Sequence, residues 1–411
     1  MTDGTGSDVA ERLSARLALA FSCVGHSFSH LLMLLFPTVV LSLEIAWDLP
    51  FNELIALMLV GQILFGAGAV PAGWLADRWS APGMMVLFFL GTGAACVATG
   101  FSETPFQIGL GIAAMGLFAS IYHPVGIAWV TRNPANRGKA LGINGVFGSL
   151  GTAGGAAVAG TLATLFDWRW AFFVPGTVCV AIGIVLLVCM LRGLLVDTRV
   201  AAHTATAESS RGDMMRAVIV LLFTIALSGM IYQATTFAMP KLFDTRLSDL
   251  VHSPAAIGGL VSGIYLLSAA AQILGGWLAD RYDTRRVYAV CWAVQVPFLI
   301  IAASLAGPLL LPVAAIMVLG NTTAVPAENS LFARYTPPAW RGTAFGVKFL
   351  ISLGVSAASV PLVGEMFRIS GDFGTLLLLL GAFAGAAFAI ALFLPATRAI
   401  PTGTPMAQPA E

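Results

Sequence analysis

Charge is what this chain has least of. Only 10% of its 411 residues are Asp, Glu, Lys or Arg, while 58% are hydrophobic and mean hydropathy is +0.88. A globular domain carries about 25% charged residues, so the composition excludes an ordinary soluble fold. A basic arm is also lacking and the net charge is only +1, which removes the electrostatic footprint of a nucleic-acid binder. The five cysteines form no CxxC pair, and each lies in an apolar run where a thiol is inert packing. No GxxxxGKS/T phosphate loop occurs, which argues against an ATP-driven pump. Neither a nucleophile beside a base nor paired carboxylates is visible, so the chain is expected to be no enzyme and to need no cofactor or metal.

What the sequence does have is long apolar runs. A bilayer-spanning helix needs about 20 mostly apolar residues. Twelve such runs fall near 17–42, 52–74, 83–100, 105–131, 140–165, 169–191, 217–240, 255–279, 286–305, 309–333, 342–367 and 373–395, with Pro297 and Pro308 marking the weakest boundaries. The chain therefore reads as an all-α membrane protein of twelve transmembrane helices. With the N-terminus inside, sixteen of the 21 Lys and Arg fall on the cytoplasmic side. Only Arg169, Lys241, Arg246 and Arg368 fall outside, and Lys348 lies within a span. That excess predicts cytoplasmic termini in a bacterial inner membrane. The expected organisation is a cytoplasmic tail (1–16), a six-helix bundle (17–191), a polar linker (192–216), a second bundle (217–395) and a second tail (396–411). The first tail, polar and without a signal-peptide cleavage site, is expected to be disordered.

Two stretches are written twice. "AGWLADRWS" (72–80) and "GGWLADRYD" (275–283) share Gly-Trp-Leu-Ala-Asp-Arg, with Gly73, Asp77 and Arg78 matching Gly276, Asp280 and Arg281. "RNPANRGKALG" (132–142) aligns with "TPPAWRGTAFG" (336–346). Parallel copies of a six-helix unit are a transporter plan. Together these motifs resemble the major facilitator superfamily, whose signature loop lies after helices two and eight. The resemblance implies two pseudo-symmetric bundles with helices one, four, seven and ten lining a central cavity. "GSLGTAGG" (148–155) is similar to that family's helix-five antiporter motif, with Gly151 in place of its proline. "FASIYHPVGIAW" (118–129) resembles the fosmidomycin-resistance branch, which implies efflux. The six repeated loop residues are candidates for gating: glycine allows close helix approach, while Asp and Arg form charge contacts that hold one end shut. A plain positive-inside anchor is the competing role for the arginines.

Ionisable groups inside a membrane are functional candidates because burying them costs free energy. They are His26 and His30 in helix one, His123 in helix four, Glu328 in helix ten and Lys348 in helix eleven, with Glu365 nearer an interface. Glu328 and Lys348 lie ten residues either side of Pro338, hence roughly 15 Å deep. His123 and Asn144 flank Pro134 in the same way, and at the repeat offset Asn144 corresponds to Lys348. Lys348, Asn144, His123, Tyr232 and Gln233 are the expected solute-binding residues; Glu328, His26 and His30 the expected proton-coupling ones. Alternatives are a static Lys348–Glu328 pair and histidines that bond neighbouring helices. The expected function is proton-coupled secondary transport of a small anionic or amphipathic organic solute by a monomer whose partners are solute, protons and lipid. The alternatives are a metal or metal-chelate carrier using the histidines, or a non-transporting sensor.

Overall fold

The computed structural model describes residues 4–131, 137–195, 211–336 and 341–395. Among them every regular element is helical, and twelve helices are long and apolar enough to cross a membrane. They are α1 (Ala10–Trp47), α2 (Phe51–Ala76), α3 (Ala81–Gly100), α4 (Pro105–Val130), α5 (Ala140–Leu165), α6 (Trp170–Leu191), α7 (Gly212–Arg246), α8 (Pro254–Arg281), α9 (Thr284–Ser304), α10 (Leu310–Tyr335), α11 (Leu350–Ser370) and α12 (Gly374–Ala391). An even number of crossings puts the start of α1 and the end of α12 at one end, here the base; the opposite end is the crown.

Two expectations about segment ends are corrected. The tail expected to be disordered is helical from Gly4 onward, and residues 1–3 lie outside the described residues. Ala10, Glu11, Arg12, Leu13, Ala15 and Arg16 are strong helix formers, and no breaker separates them from the first span. The linker expected at 192–216 is shortened in the same way, because the helix that becomes α7 starts at Arg211. The rest of that linker, 196–210, and the tail at 396–411 lie outside the described residues.

Although α2 breaks once at Leu57 and Met58 with no proline close ahead, the other breaks within the spans lie just ahead of a proline. Proline removes one hydrogen bond of the helical ladder and crowds the carbonyl four residues back. α1 breaks at Leu35 ahead of Pro37, α2 at Gly68 ahead of Pro71, and α4 between Ala119 and Tyr122 ahead of Pro124. α11 enters its span from a helical segment, Arg341–Ser356, and breaks before Ser359, ahead of Pro361. Proline does not always win: α9 runs unbroken through Pro297 to Ser304.

The two bundles meet along α5 and α8. Gly258 lies against the Ala156 carbonyl so closely that any side chain would collide with it. Ser262 donates to the Ala153 carbonyl and accepts from the Ala157 amide at 2.9 Å, and the Ala255 amide donates to Thr164 at 3.0 Å. Small residues bring the backbones close, which is how helices associate where lipid removes the hydrophobic drive. At the crown, the Phe51 ring lies 5.0 Å from Phe367 and 5.8 Å from Phe373. Lys241 of α7 meets Glu44 of α1 at 2.9 Å, beside its own-helix partner Asp244, also at 2.9 Å.

Arg246 ties the crown ends of α7, α9 and α12 together. Its guanidinium donates to Asp372 at 2.9 and 2.5 Å and to the carbonyls of Ala302, Ala303 and Leu305 at 2.5, 2.8 and 3.0 Å. Burial opposes ionisation of Asp372, but the hydrogen bonds from Arg246 and from backbone amides outweigh it, holding the carboxyl below its ordinary value of 3.8. This stabilisation is therefore full above pH 3.8 and fades as pH falls through the lower folded-state value. Arg246→Ala is expected to destabilise the protein by about 2–3 kcal/mol, as loss of charge-assisted bonds does. Arg368→Ala, which breaks an exposed pair with Glu365, should leave thermal unfolding in detergent unchanged. Equal melting shifts for the two variants would refute this ranking.

Candidate functional site

Among the described residues, two interior clusters hold the titratable groups singled out above, one in each bundle. In the second bundle, Glu328 of α10 and Lys348, in the segment leading into α11, are each only 5% exposed. Lys348 Nζ lies 2.8 Å from Glu328 Oε1. It also donates to the Asn329 side-chain oxygen and lies 5.9 Å from the centre of the Phe332 ring. The second carboxylate oxygen, Oε2, accepts from the Tyr288 hydroxyl at 3.1 Å. Tyr288 in turn stands edge-on to the fully buried Trp292, 6.0 Å away. A carboxylate and an ammonium taken out of water need this density of partners, because desolvation alone costs several kcal/mol per ion.

In the first bundle the groups are neutral or titratable, with no carboxylate or amine among them. Asn144 of α5 donates to the Tyr122 hydroxyl at 2.9 Å and to Ser22 at 3.3 Å, while Tyr122 donates to Asn144 Oδ1 at 3.2 Å. Ser22 donates to the Gly126 carbonyl at 2.8 Å. His26 Nδ1 lies 2.8 Å from the Asn144 carbonyl; a carbonyl only accepts, so Nδ1 carries the proton and donates. The His26 ring stacks on Tyr122 at 4.9 Å and 22°. His30, one turn further along α1, lies 5.0 Å from His26, and His123 lies 5.5 Å from His26 and 5.4 Å from His30. Phe65 of α2 closes over His123 at 5.7 Å.

The local sequence makes room for these rings. The break in α4 at Ser120 and Ile121, ahead of Pro124, puts Tyr122 and His123 at the start of a new helical segment, Tyr122–Thr131. In the glycine-rich run of α5, a side chain at Gly148 would collide with the His26 ring, and one at Gly151 with the Ser27 backbone. Gly151, standing where the resembled motif has proline, thus lets α1 approach α5.

The remaining expected residues are dispersed. Tyr232 of α7 donates to Thr152 of α5 at 3.2 Å, a bond between the bundles, and Gln233 is buried beside it. At the base, Arg78 lies over Trp74 at 4.1 Å and Arg281 over Trp277 at 5.5 Å, each arginine stacked on the tryptophan one turn back. Asp280 is exposed, and the Asp77 side chain lies outside the described residues. The close helix approach expected of both loop glycines needs one correction. A Cβ on Gly73 would come within 3.3 Å of Pro124, but Gly276 has nothing within 4 Å. Its neighbour Gly275 is the tight one, pressed on the Thr323 carbonyl of α10, because the helical phase turns that residue inward. Glu365 pairs at the surface with Arg368.

Tyr288 and Glu44 were not singled out by sequence reasoning. Nothing in a linear pattern marks Tyr288, whose role depends on a partner 40 residues away. Glu44 does carry a signal, a carboxylate near the end of an apolar run, and its partner Lys241 is an outward-assigned cation of the other bundle.

The family model for the Major Facilitator Superfamily matches residues 17–248 and 221–409. The puromycin resistance protein pur8 of Streptomyces alboniger is 26% identical over 51% of this chain and 44% of its own length, so this chain spans less than half of that relative. The multidrug resistance protein MdtG of Serratia proteamaculans is 26% identical over 67% of each chain. The 4-hydroxybenzoate transporter PcaK of Pseudomonas putida is 22% identical over 72% of each. Among solved structures, a peptide transporter POT in complex with sulfate superposes with a TM-score of 0.72 at 16% identity, covering 93% of both chains. A bacterial homolog of the human lysosomal transporter Spinster, inward-facing and unoccupied, gives 0.70 at 14% identity over 93% of this chain and 95% of that one. These two likenesses establish the fold.

The buried pair makes a thermodynamic prediction of its own. Lys348→Met alone should destabilise by about 3–5 kcal/mol, because it strands the Glu328 carboxylate. The double variant Glu328→Leu with Lys348→Met should recover most of that loss in thermal unfolding. A double variant no more stable than the single one would show that the two side chains are not coupled.

Proposed function

Because this chain belongs to the major facilitator superfamily, we propose that it carries a small organic solute across a bacterial inner membrane by alternating access, coupled to protons. Family membership sets it among transporters and not among enzymes. The reading rests on one observation: among the described residues, a single ammonium, Lys348, is buried against a single carboxylate, Glu328, and only in the second bundle. Lys348 can bind an anionic solute only when Glu328 releases it, and protonation of Glu328 is the release. The site is then neutral in both states: ammonium with carboxylate when empty, ammonium with solute anion and a protonated Glu328 when loaded. Neutrality matters here because an uncompensated buried charge is what the interior penalises most. The other named residues complete the polar wall, Asn144 and His123 from the first bundle, Tyr232 and Gln233 from α7.

The charge balance also sets the direction. Proton and anion travel together, so an inward proton gradient drives the anion inward. The relative named for 4-hydroxybenzoate, an aromatic carboxylate, supports an anionic solute. A second reading, export of an amphipathic solute in exchange for protons, is favoured by the relatives named for puromycin and multidrug resistance. It would require a solute that binds ionised Glu328 in place of Lys348, hence a cation. In either case the crown contacts, Glu44 with Lys241 and Phe51 with Phe367 and Phe373, must part when that end opens. The loop residues Gly73, Asp77, Arg78, Gly276, Asp280 and Arg281 would govern the base. The excess of Lys and Arg in the base loops supports cytoplasmic termini. The working unit is one chain.

The test is uptake of labelled 4-hydroxybenzoate and related benzoates into proteoliposomes under an imposed pH gradient. Wild-type protein should accumulate the anion when the lumen is alkaline. Glu328→Gln should exchange solute across the membrane but lose at least tenfold in gradient-driven accumulation. The Glu328→Leu, Lys348→Met double variant should remain folded and neither bind nor move the anion. Full accumulation by the double variant would remove Lys348 from the mechanism. Gradient-driven movement of cationic drugs and of no anion would establish the second reading.

A further inference from the structure

The ion-pair mechanism gives His26 and His30 no role and His123 only a place in the polar wall, and the geometry of the three rings supports a separate role. His26, His30 and His123 each offer a ring nitrogen, and the three nitrogens lie within 4.8 Å of one another. We propose that they form a binding site for one late first-row transition-metal ion, zinc(II) or copper(I), held by three imidazoles with a fourth position open. The inference rests on this geometry and not on the transport reading.

Three observations carry it. First, the donor set is chemically coherent: three imidazoles suit zinc and copper, while magnesium and calcium demand oxygen ligands. Second, the rings are held from behind. The Nδ1–H of His26 donates to the Asn144 carbonyl at 2.8 Å, the outer-shell bond that fixes a ligating histidine and leaves Nε2 with its lone pair. Tyr122 stacks on the same ring and Phe65 stands over His123, so two of the three ligands are oriented before any ion arrives. Third, the ligands come from two helices only, α1 and α4, and His26 and His30 are one turn apart on one face.

Metal–nitrogen bonds of about 2.0–2.1 Å place tetrahedral ligands roughly 3.3 Å apart. The cluster must therefore close by more than an ångström at its widest. His30 is the ring free of a fixing contact of the His26 kind, and it is half-buried, so its rotation supplies the closure. No carboxylate or thiolate belongs to the triad. The ion keeps its full charge in a poorly solvating interior, which favours monovalent copper(I), or zinc(II) carrying a hydroxide or a solute carboxylate in the open position.

The experiment uses the full chain in detergent with any affinity tag removed. Zinc sulfate, and separately copper(I) held by a competing chelator, are titrated in, with magnesium as the control. We expect one zinc or copper ion per chain by elemental analysis, a rise in melting temperature that scales with free ion, and no response to magnesium. His30→Gln and His123→Gln should each weaken binding at least 100-fold, whereas His252→Gln, at an exposed crown position, should leave it unchanged. If either triad variant fails to fold, the wild-type protein loaded with cobalt(II) decides the matter. An intense visible d–d spectrum of a four-coordinate, nitrogen-rich site supports the triad, and an octahedral, aquo-like spectrum overturns it. Stoichiometric binding that survives the His30→Gln, His123→Gln double variant, or no binding above background, also overturns it.

Discussion

Everything inside this molecule is organised by the cost of placing polar groups where water cannot reach them. A chain with so few charges could have excluded them from its spans altogether. Instead it buries a carboxylate and an ammonium side by side, and the surrounding Tyr288, Asn329 and Phe332 exist in that arrangement to make the burial tolerable. The same cost explains why the first bundle answers with amides, hydroxyls and imidazoles. Asn144 stands at the repeat position of Lys348, and its amide is satisfied by a phenol and a serine without any need for a counter-charge. One copy of the duplicated unit carries charge; the other carries hydrogen bonds.

Local chain chemistry serves this arrangement. Proline and glycine are destabilising in an isolated helix, yet here each has a spatial use. Pro124 interrupts α4 where two aromatic rings must turn toward α1, and Gly148 and Gly151 let α1 press against α5 with His26 between them. The seam between bundles uses the same device at Gly258, so that backbone contacts backbone with serine and threonine supplying the hydrogen bonds. Rigid contacts made this way are directional, and a small tilt would break several together. That suits the alternating-access reading proposed above, in which one bundle moves against the other.

Much of this was legible in the sequence, for reasons that differ by level. Twelve apolar runs follow from bilayer thickness, a constraint written directly into composition, and the duplicated GWLADR loop made the two-bundle plan visible. Counting residues from a shared turn placed Glu328 and Lys348 at one depth because helical rise is constant. What counting could not supply was azimuth. The approach of Tyr288 to Glu328 depends on the rotation of α9 about its own axis, and no linear pattern carries that angle. The inward role of Gly275 rather than Gly276 is the same limit at the scale of one residue. The start of α1 was misjudged for another reason: polar composition suggested solvation, while the intrinsic helical preference of Ala, Glu, Arg and Leu at 10–16 let the helix begin before the apolar core.

Trp292 deserves a spectroscopist's notice. It is fully buried and shares an edge with Tyr288, which is itself bonded to the Glu328 carboxylate, whereas Trp74, Trp79 and Trp277 sit exposed near the base. Indole emission is sensitive to nearby charge, so the chain holds an intrinsic optical reporter two contacts away from its ion pair. With the peripheral indoles replaced by phenylalanine, changes at the buried carboxylate could be followed by fluorescence, in real time and with no dye attached.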